Sequence, residues 1–125
     1  MAITNNILID GREVPFKASA AIPRIYRFKF HRDIFADLRR LMGEVKDSDE
    51  GASTLDLNSL EIFENIAYTM AKYADPSIPN TPEEWLDGFS TFSIYMVLPE
   101  IFRLWGLNME TEVEAKKNLA RLTAR

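Results

Sequence analysis

The sequence offers few side chains for chemistry: it has one histidine, His31, and no cysteine. Without cysteine there is no thiolate nucleophile, and one histidine cannot supply the usual zinc ligand sets. A catalytic histidine needs a nucleophile or an orienting carboxylate within hydrogen-bond distance. The nearest acid in sequence is Asp33, but residues two apart do not face each other on a helix. The pattern therefore favours a histidine at the surface or at a helix end.

Two carboxylate pairs, Glu61 with Glu64 and Glu83 with Asp87, have the spacing of neighbours on one helix face. Paired carboxylates can perform acid–base chemistry. Acids near the start of a helix are also favoured by the helix dipole, which explains both pairs without catalysis. We therefore predict no catalytic residues and a protein that is not an enzyme.

The acidic stretch 47–51 invites comparison with a calcium-binding loop. Counted from Asp47, the sixth residue is Ala52 and the twelfth is Asn58. A calcium loop needs glycine and glutamate at these two positions. The five glycines are scattered, and none forms a phosphate-binding loop. We predict no metal site and no cofactor.

The first eighteen residues predict a β-hairpin. A lone hairpin is marginally stable, so it must pack on the helices or pair with something else, and the sequence leaves both open. Asp10 and Gly11 are suited to the positive φ angles of a type I′ turn between two apolar stretches. Pro15 has no N–H to donate, so the second strand should present this position to an unpaired edge.

Helical periodicity begins after the hairpin. The first helix should begin between Ala20 and Ile22, because Pro23 is tolerated only in a first turn. Asp33 can cap a second helix. The pattern leaves open whether these two segments form one kinked helix or two. The polar residues 46–53 predict a loop.

The second half of the chain predicts two further helices. Asn58 and Glu61 have the spacing of a capping-box variant, and the helix that follows should end at Ala74, before Asp75-Pro76.

Thr81, Pro82 and Glu84 predict a strong start for the next helix. Its apolar positions continue to Pro99, which should kink or split it, and Gly106 should end it. The large apolar residues recur at helical spacing: Trp85, Phe89, Phe92 and Met96.

Together these patterns predict one mainly α domain: a helical domain with a short N-terminal β-hairpin. The expected parts are a β-hairpin at 1–18, a helical core at 19–106 and a polar C-terminal tail at 107–125. No apolar stretch reaches the roughly 20 residues of a membrane span, and the first residues do not resemble a signal peptide. Lack of cysteine suits a reducing cytoplasm.

Charge and aromatic residues suggest two kinds of partner. The net charge is −4, but the segment 24–40 is basic with interleaved aromatics, which leaves a DNA-associated accessory protein as the alternative function. Six large aromatics between residues 85 and 105 favour an exposed patch for a protein partner. We predict a protein partner ahead of nucleic acid. The predicted partner-binding residues are Arg24, Tyr26, Arg27, Arg32, Trp85, Phe89, Phe92 and Trp105.

Four short motifs carry a resemblance to a known family: the strand at 14–18, the pattern Ala-x-x-Pro-Arg-x-Tyr-Arg at 20–27, residues 30–34 and the end of the core at 105–108. With this order of elements, the chain resembles the tail assembly chaperones of long, non-contractile-tailed phages and prophages of Gram-positive bacteria. One departure is His31, where the family pattern leads us to expect glycine. Glycine would allow a positive φ between the first two helices.

The resemblance implies a function. Such proteins bind the tape-measure protein during tail assembly, keep it soluble and help to recruit tail tube protein. They act in the host bacterial cytoplasm and are expected to be absent from the mature virion. The family often produces a longer, frameshifted form as well. The sequence leaves open whether this chain does so and whether it forms a homo-oligomer.

Overall fold

The computed structural model describes residues 3–46 and 56–106, which are mainly helical with an N-terminal β-hairpin. This confirms the predicted fold class. In chain order the elements are β1 (Ile3–Ile9), β2 (Arg12–Ala18), α1 (Ala21–Phe30), α2 (Ile34–Lys46), α3 (Leu57–Ala74), α4 (Pro82–Leu86), a 3₁₀ helix (Ser93–Val97) and α5 (Leu98–Leu104). The predicted tail at 107–125 lies outside the described residues, as does the predicted loop at 46–53 apart from Lys46.

The hairpin forms as the turn residues predict. Asp10 and Gly11 have φ angles of 53° and 76°, and β1 pairs antiparallel with β2. Ile9 and Arg12 flank this two-residue turn as a hydrogen-bonded pair, and the two kinds of pair alternate along the strands from there. Pro15, opposite Asn6, therefore occupies a non-hydrogen-bonded pair. Its backbone nitrogen faces the outer edge of β2, as predicted.

One face of the hairpin belongs to the core. Its buried side chains alternate along the strands: Ile7, Ile9, Val14, Phe16 and Ala18. They join the buried side chains of the helices in one hydrophobic cluster, which satisfies the requirement that a lone hairpin be supported. The longest helix, α3, is central to this cluster and packs against β2, α1 and α2.

Two separate helices follow the hairpin, which decides the question that the sequence left open. α1 ends at Phe30, and His31 adopts a left-handed conformation with φ 58° and ψ 40° while its N–H donates to Arg27 O at 2.8 Å. The Asp33 carboxylate then accepts a hydrogen bond from Phe35 N at 2.9 Å, so it caps α2 as predicted. Histidine thus occupies the positive-φ position at which the resemblance led us to expect glycine.

Replacing His31 with glycine should raise the free energy of unfolding by about 1 kcal/mol. The left-handed conformation costs a residue with a side chain ~1–2 kcal/mol, and the greater freedom of glycine in the unfolded chain offsets part of that gain. Urea denaturation measures the change. His31→Ala is the control and should be no more stable than the natural chain. An unchanged or lower stability of His31→Gly would show that the backbone is not strained here.

The predicted cap of α3 is wrong. Asp56 occupies the N-cap position with an extended backbone, and its carboxylate accepts a hydrogen bond from Ser59 N at 2.7 Å. Asn58 lies inside the first turn instead. The Asp56 carboxylate, two residues before Asn58, accepts a hydrogen bond from one of the free N–H groups of the first turn. The helix therefore begins before the predicted capping box. The end of α3 at Ala74 is as predicted.

The helix start at Thr81 is confirmed, but the long helix expected after it is not. The Thr81 hydroxyl accepts a hydrogen bond from Glu84 N at 3.2 Å, yet α4 ends at Leu86. Turns at residues 87–88 and 91–92 follow it. Pro99 lies in the first turn of α5, where its missing N–H removes no helical bond. Gly106, with φ 73°, follows the end of α5 as predicted.

α4 ends earlier than predicted because the residues after it form hydrogen bonds with the distant hairpin turn. The Asp10 carboxylate of the hairpin turn accepts hydrogen bonds from Ser90 N at 2.7 Å, Ser90 Oγ at 2.9 Å and Ser93 Oγ at 3.0 Å. The Ser90 N–H therefore bonds to a carboxylate and not to a helical carbonyl. These bonds, with the backbone bond from Ser90 first, also lower the pKa of Asp10.

Candidate partner-binding surfaces

The described ranges, 3–46 and 56–106, contain no group of three or more histidine and acidic side chains that could hold a metal ion. His31 is exposed at a helix end. Glu64, one of the paired acids, accepts a hydrogen bond from the Tyr95 hydroxyl. Burial and this bond raise the pKa of Tyr95 to about 12. Glu64 therefore takes part in a structural contact between α3 and the 3₁₀ helix.

Tyr26 and Arg32 were predicted to bind a partner, but both converge on Asp37. The Tyr26 hydroxyl donates to Asp37 Oδ2 at 2.7 Å, and Arg32 donates to the two carboxylate oxygens at 2.8 and 2.7 Å. Tyr26 is fully buried, and Asp37 is 3% exposed. Tyr26, a predicted partner-binding residue, is therefore enclosed in the core, and the Arg32 guanidinium is occupied within the protein.

This network fixes the charge states of its members. Burial alone would raise the pKa of Asp37, but the hydrogen bonds from Arg32 and Tyr26, together with the positive charge of Arg32, lower it below the usual range. Burial and the bond to Asp37 raise the pKa of Tyr26 far above its usual value. The carboxylate is thus ionised and the phenol neutral at pH 7, and the network connects α1 with α2.

Trp85 and Phe89 belong to an aromatic cluster under the hairpin. Trp85 is 5% exposed, and its ring lies 6.3 Å from Phe16, 5.8 Å from Tyr68 and 5.1 Å from Phe89. The Arg12 guanidinium covers Phe89 at 5.0 Å and donates to Gly88 O at 2.9 Å. Trp85, a predicted partner-binding residue, is therefore part of the core. Phe89 is partly covered.

Trp105 is half-buried at the end of α5. Its indole N–H points at Met70 Sδ at 3.3 Å, and its ring meets the edge of Phe35 with centroids 6.1 Å apart. Phe35, at the start of α2, is exposed on its other side. Phe35 and Trp105 together present a small aromatic surface. Trp105 was predicted from the sequence as a partner contact, but Phe35 was not.

Arg24, Arg27 and Phe28 form an exposed strip on α1, which we name the α1 ridge. Phe28 is 65% exposed, and the Arg24 guanidinium lies 5.0 Å from its ring centroid. Among the described side chains, no carboxylate forms a salt bridge with Arg24 or Arg27. The buried residues of α1, Ile22 and Tyr26, lie one turn apart on the opposite side. The one-turn spacing of Ile22 and Tyr26 in the sequence could therefore have been used to assign Phe28 to the surface.

Three other basic residues of segment 24–40, Lys29, Arg32 and Arg40, contact groups elsewhere in the protein. Lys29 Nζ donates to Asn80 O at 3.3 Å and lies 5.2 Å from the Tyr68 ring. Arg40 forms a salt bridge of 3.6 Å with Asp56, and Arg32 is bound to Asp37. The segment that is basic in sequence is therefore not one continuous basic face.

A second surface is a groove of about 480 Å³ beside β1, which we name the β1 groove. It is lined by the consecutive residues 6–10 on one side and by Ser93, Met96, Val97 and Glu100 on the other. Leu8 and Met96, two of its lining residues, are 67% and 78% exposed.

Phe92, which we predicted to bind a partner, is exposed directly before the 3₁₀ helix that forms one wall of this groove. Leu8 and Met96 were not predicted. Leu8 could have been identified from strand alternation with Ile7 and Ile9, whereas Met96 was expected on an apolar helix stripe.

Comparison of the chain with protein-family models, with curated proteins and with solved structures finds no match. Within residues 3–46 and 56–106, no helix is both long enough and apolar enough to cross a membrane.

Proposed function

We propose that this protein is a phage tail assembly chaperone that binds the tape-measure protein and keeps it soluble during tail assembly. It acts by non-covalent binding in the host bacterial cytoplasm and leaves before the virion matures. The sequence resemblance supplies the identity of the client. The observation that carries the proposal is the α1 ridge, where Phe28 is exposed beside Arg24, and neither Arg24 nor Arg27 forms a salt bridge with a carboxylate among the described side chains.

The α1 ridge suits a helical client with mixed apolar and acidic residues. Phe28 supplies an apolar anchor, and the arginines attract carboxylates and increase the rate of encounter. The opposite side of α1 is fixed in the core by Ile22 and Tyr26. The ridge therefore needs little reorganisation on binding, which lowers the entropy cost of association. The tail tube protein is the second partner that we propose.

The direct experiment is co-expression with the long helical protein encoded beside this chain. We expect the client to become soluble and to co-purify with this chain. A client that remains insoluble while this chain elutes alone would contradict the proposal. Repeating the experiment with a frameshifted longer form then distinguishes a missing segment from a mistaken family.

Arg27→Glu should weaken client binding about fivefold, and Arg27→Glu with Phe28→Ser more than tenfold. Charge reversal repels acidic residues of the client, and loss of the ring removes the apolar anchor. Affinity is measured by titrating the solubilised client, and circular dichroism confirms the fold of each variant. Arg39→Glu is the matched control because Arg39 is an exposed arginine on α2. Equal affinities for Arg27→Glu and Arg39→Glu would exclude the ridge.

The alternative, a DNA-associated phage accessory protein using segment 24–40, predicts a different result. Binding to phosphates should shift duplex DNA at low salt and weaken as salt is added. The contacts of Lys29, Arg32 and Arg40 with protein groups reduce the basic surface available for this role. A salt-sensitive shift that Arg24→Glu and Arg27→Glu abolish would favour DNA over a protein client.

A further inference from the structure

The outer edge of β1 carries backbone groups that no other described residue satisfies. Because Ile9 and Ile7 lie in hydrogen-bonded pairs with β2, the N–H and C=O groups of Thr4, Asn6 and Leu8 point away from the hairpin. Within the described ranges, no hydrogen bond reaches the backbone of these three residues from another element. Three alternate residues thus present donors and acceptors at the spacing of a strand.

The two edges of the hairpin differ in the protection that natural sheets use against strand addition. β2 has Pro15 at its centre, and charged Glu13 and Lys17 beside it. β1, from Ile3 to Ile9, has neither proline nor a charged residue. Charged residues and proline are the usual means by which proteins block an open edge. The absence of both from β1 is expected if this edge pairs with another strand.

The surroundings of the β1 edge define the chemistry of its partner. The β1 groove lies along the edge, with Met96 and Val97 on the facing helical wall and Leu8 at the rim. Its two charged lining residues are both acids: Asp10, held by serine donors, and Glu100, in a salt bridge with Arg103. The groove therefore presents apolar contacts and, at the hairpin turn, the Asp10 carboxylate, which also lies near the positive charge of Arg12.

We propose that the β1 groove binds an extended segment of a partner polypeptide, which adds to β1 as a third strand. The segment has apolar residues at alternate positions and a lysine or arginine beside Asp10. Its backbone pairs with Thr4, Asn6 and Leu8, and its apolar side chains cover Met96 and Val97. This site is separate from the α1 ridge and does not depend on the identity of the helical client.

A second copy of this chain fits the groove less well than a foreign segment. β1 is uncharged along its whole length, so it offers no cation to Asp10. In a symmetric pair of β1 strands, the 3₁₀ helix and α5 of both copies would also lie on the same side of the joined sheet. A single extended segment avoids that crowding.

The test uses the full chain and a labelled synthetic peptide with the sequence lysine-valine-threonine-valine-threonine-valine-lysine. Fluorescence anisotropy should detect binding to the natural chain. Asn6→Pro removes an outward N–H without removing a β1–β2 hydrogen bond, and it should weaken binding about tenfold. Glu13→Pro is the matched control, because it removes the corresponding outward N–H from β2, and its affinity should stay within about twofold. A peptide with glutamate at both ends should bind at least about fivefold more weakly.

Amide hydrogen exchange supplies a measurement that needs no variant. Peptide binding should slow exchange at Thr4, Asn6 and Leu8 in the natural chain. Absence of binding, unchanged exchange at these amides or equal affinity of Asn6→Pro would overturn the proposal. A natural chain that sediments as a dimer, and becomes a monomer in Asn6→Pro, would overturn it as well, because a second copy then occupies the edge.

Discussion

Replacing Asp37 with alanine is expected to lower the free energy of unfolding by about 3 kcal/mol. The substitution leaves the Tyr26 hydroxyl buried without its acceptor and removes both hydrogen bonds of Arg32. The loss is larger than for an ordinary surface ion pair because Asp37 and Tyr26 are both buried. Urea denaturation followed by circular dichroism measures the difference, and a decrease of about 10 °C in Tm should accompany it.

Asp33→Ala is the matched control for this prediction. It removes the same charge from the same helix, but Asp33 is exposed and caps only the first turn of α2. Loss of such a cap costs about 1 kcal/mol. A cost for Asp37→Ala no greater than that for Asp33→Ala would show that the buried network contributes little to the fold.

The same network determines how stability responds to acid. The pKa of Asp37 is lower in the folded protein than in the unfolded chain, where it is about 3.9. Its contribution to stability is therefore complete above about pH 4 and decreases as the pH falls through the folded-state value. Asp37→Asn should flatten the dependence of stability on pH below about pH 4. An equally steep loss of stability in this variant would assign the acid sensitivity to other carboxylates.

The parts of the fold that the sequence predicted are those determined by local chemistry. Asp10-Gly11 permits the positive φ angles of a tight turn, and Thr81-Pro82 satisfies the needs of a first helical turn. The non-hydrogen-bonded position of Pro15 follows from the turn by counting residues. In each case, the residues that determine the structure lie within a few positions of one another.

The errors have two causes: distant residues that compete with the local pattern, and neighbouring residues that suit the same position equally well. The apolar spacing after Trp85 fits a long helix, but Ser90 and Ser93 bond to Asp10, which lies 80 or more positions earlier. The cap of α3 was misassigned because Asp56 and Asn58 both suit a helix start and only the backbone distinguishes them. Local helix propensity cannot predict the tertiary hydrogen bonds that Ser90 and Ser93 form with Asp10.

The candidate surfaces also contain residues that the sequence could have assigned and residues that it could not. Ile22 and Tyr26 at helical spacing could have placed Tyr26 in the core and Phe28 on the surface. No local pattern reveals that Arg32 turns toward Asp37. The β1 groove also depends on the return of the chain after α4, which brings Met96 beside Leu8. Composition indicated exposed aromatics between residues 85 and 105. That a helix lies beside the edge of a strand could be learned only from the tertiary structure.

Trp85→Ala should cost about 4 kcal/mol of folding free energy, because truncation of a buried tryptophan leaves a large cavity. The ring contacts Phe16 of the hairpin and Tyr68 of α3, so its loss should loosen the support of β2 as well as the core. Phe92→Ala is the control, since this exposed aromatic from the same segment should change stability by less than about 0.5 kcal/mol. Thermal and urea unfolding measure both variants. Similar small losses of stability in both variants would show that Trp85 is part of an exposed patch, as the sequence indicated. The expected difference between them leaves Phe92, and not Trp85, free to contact a partner.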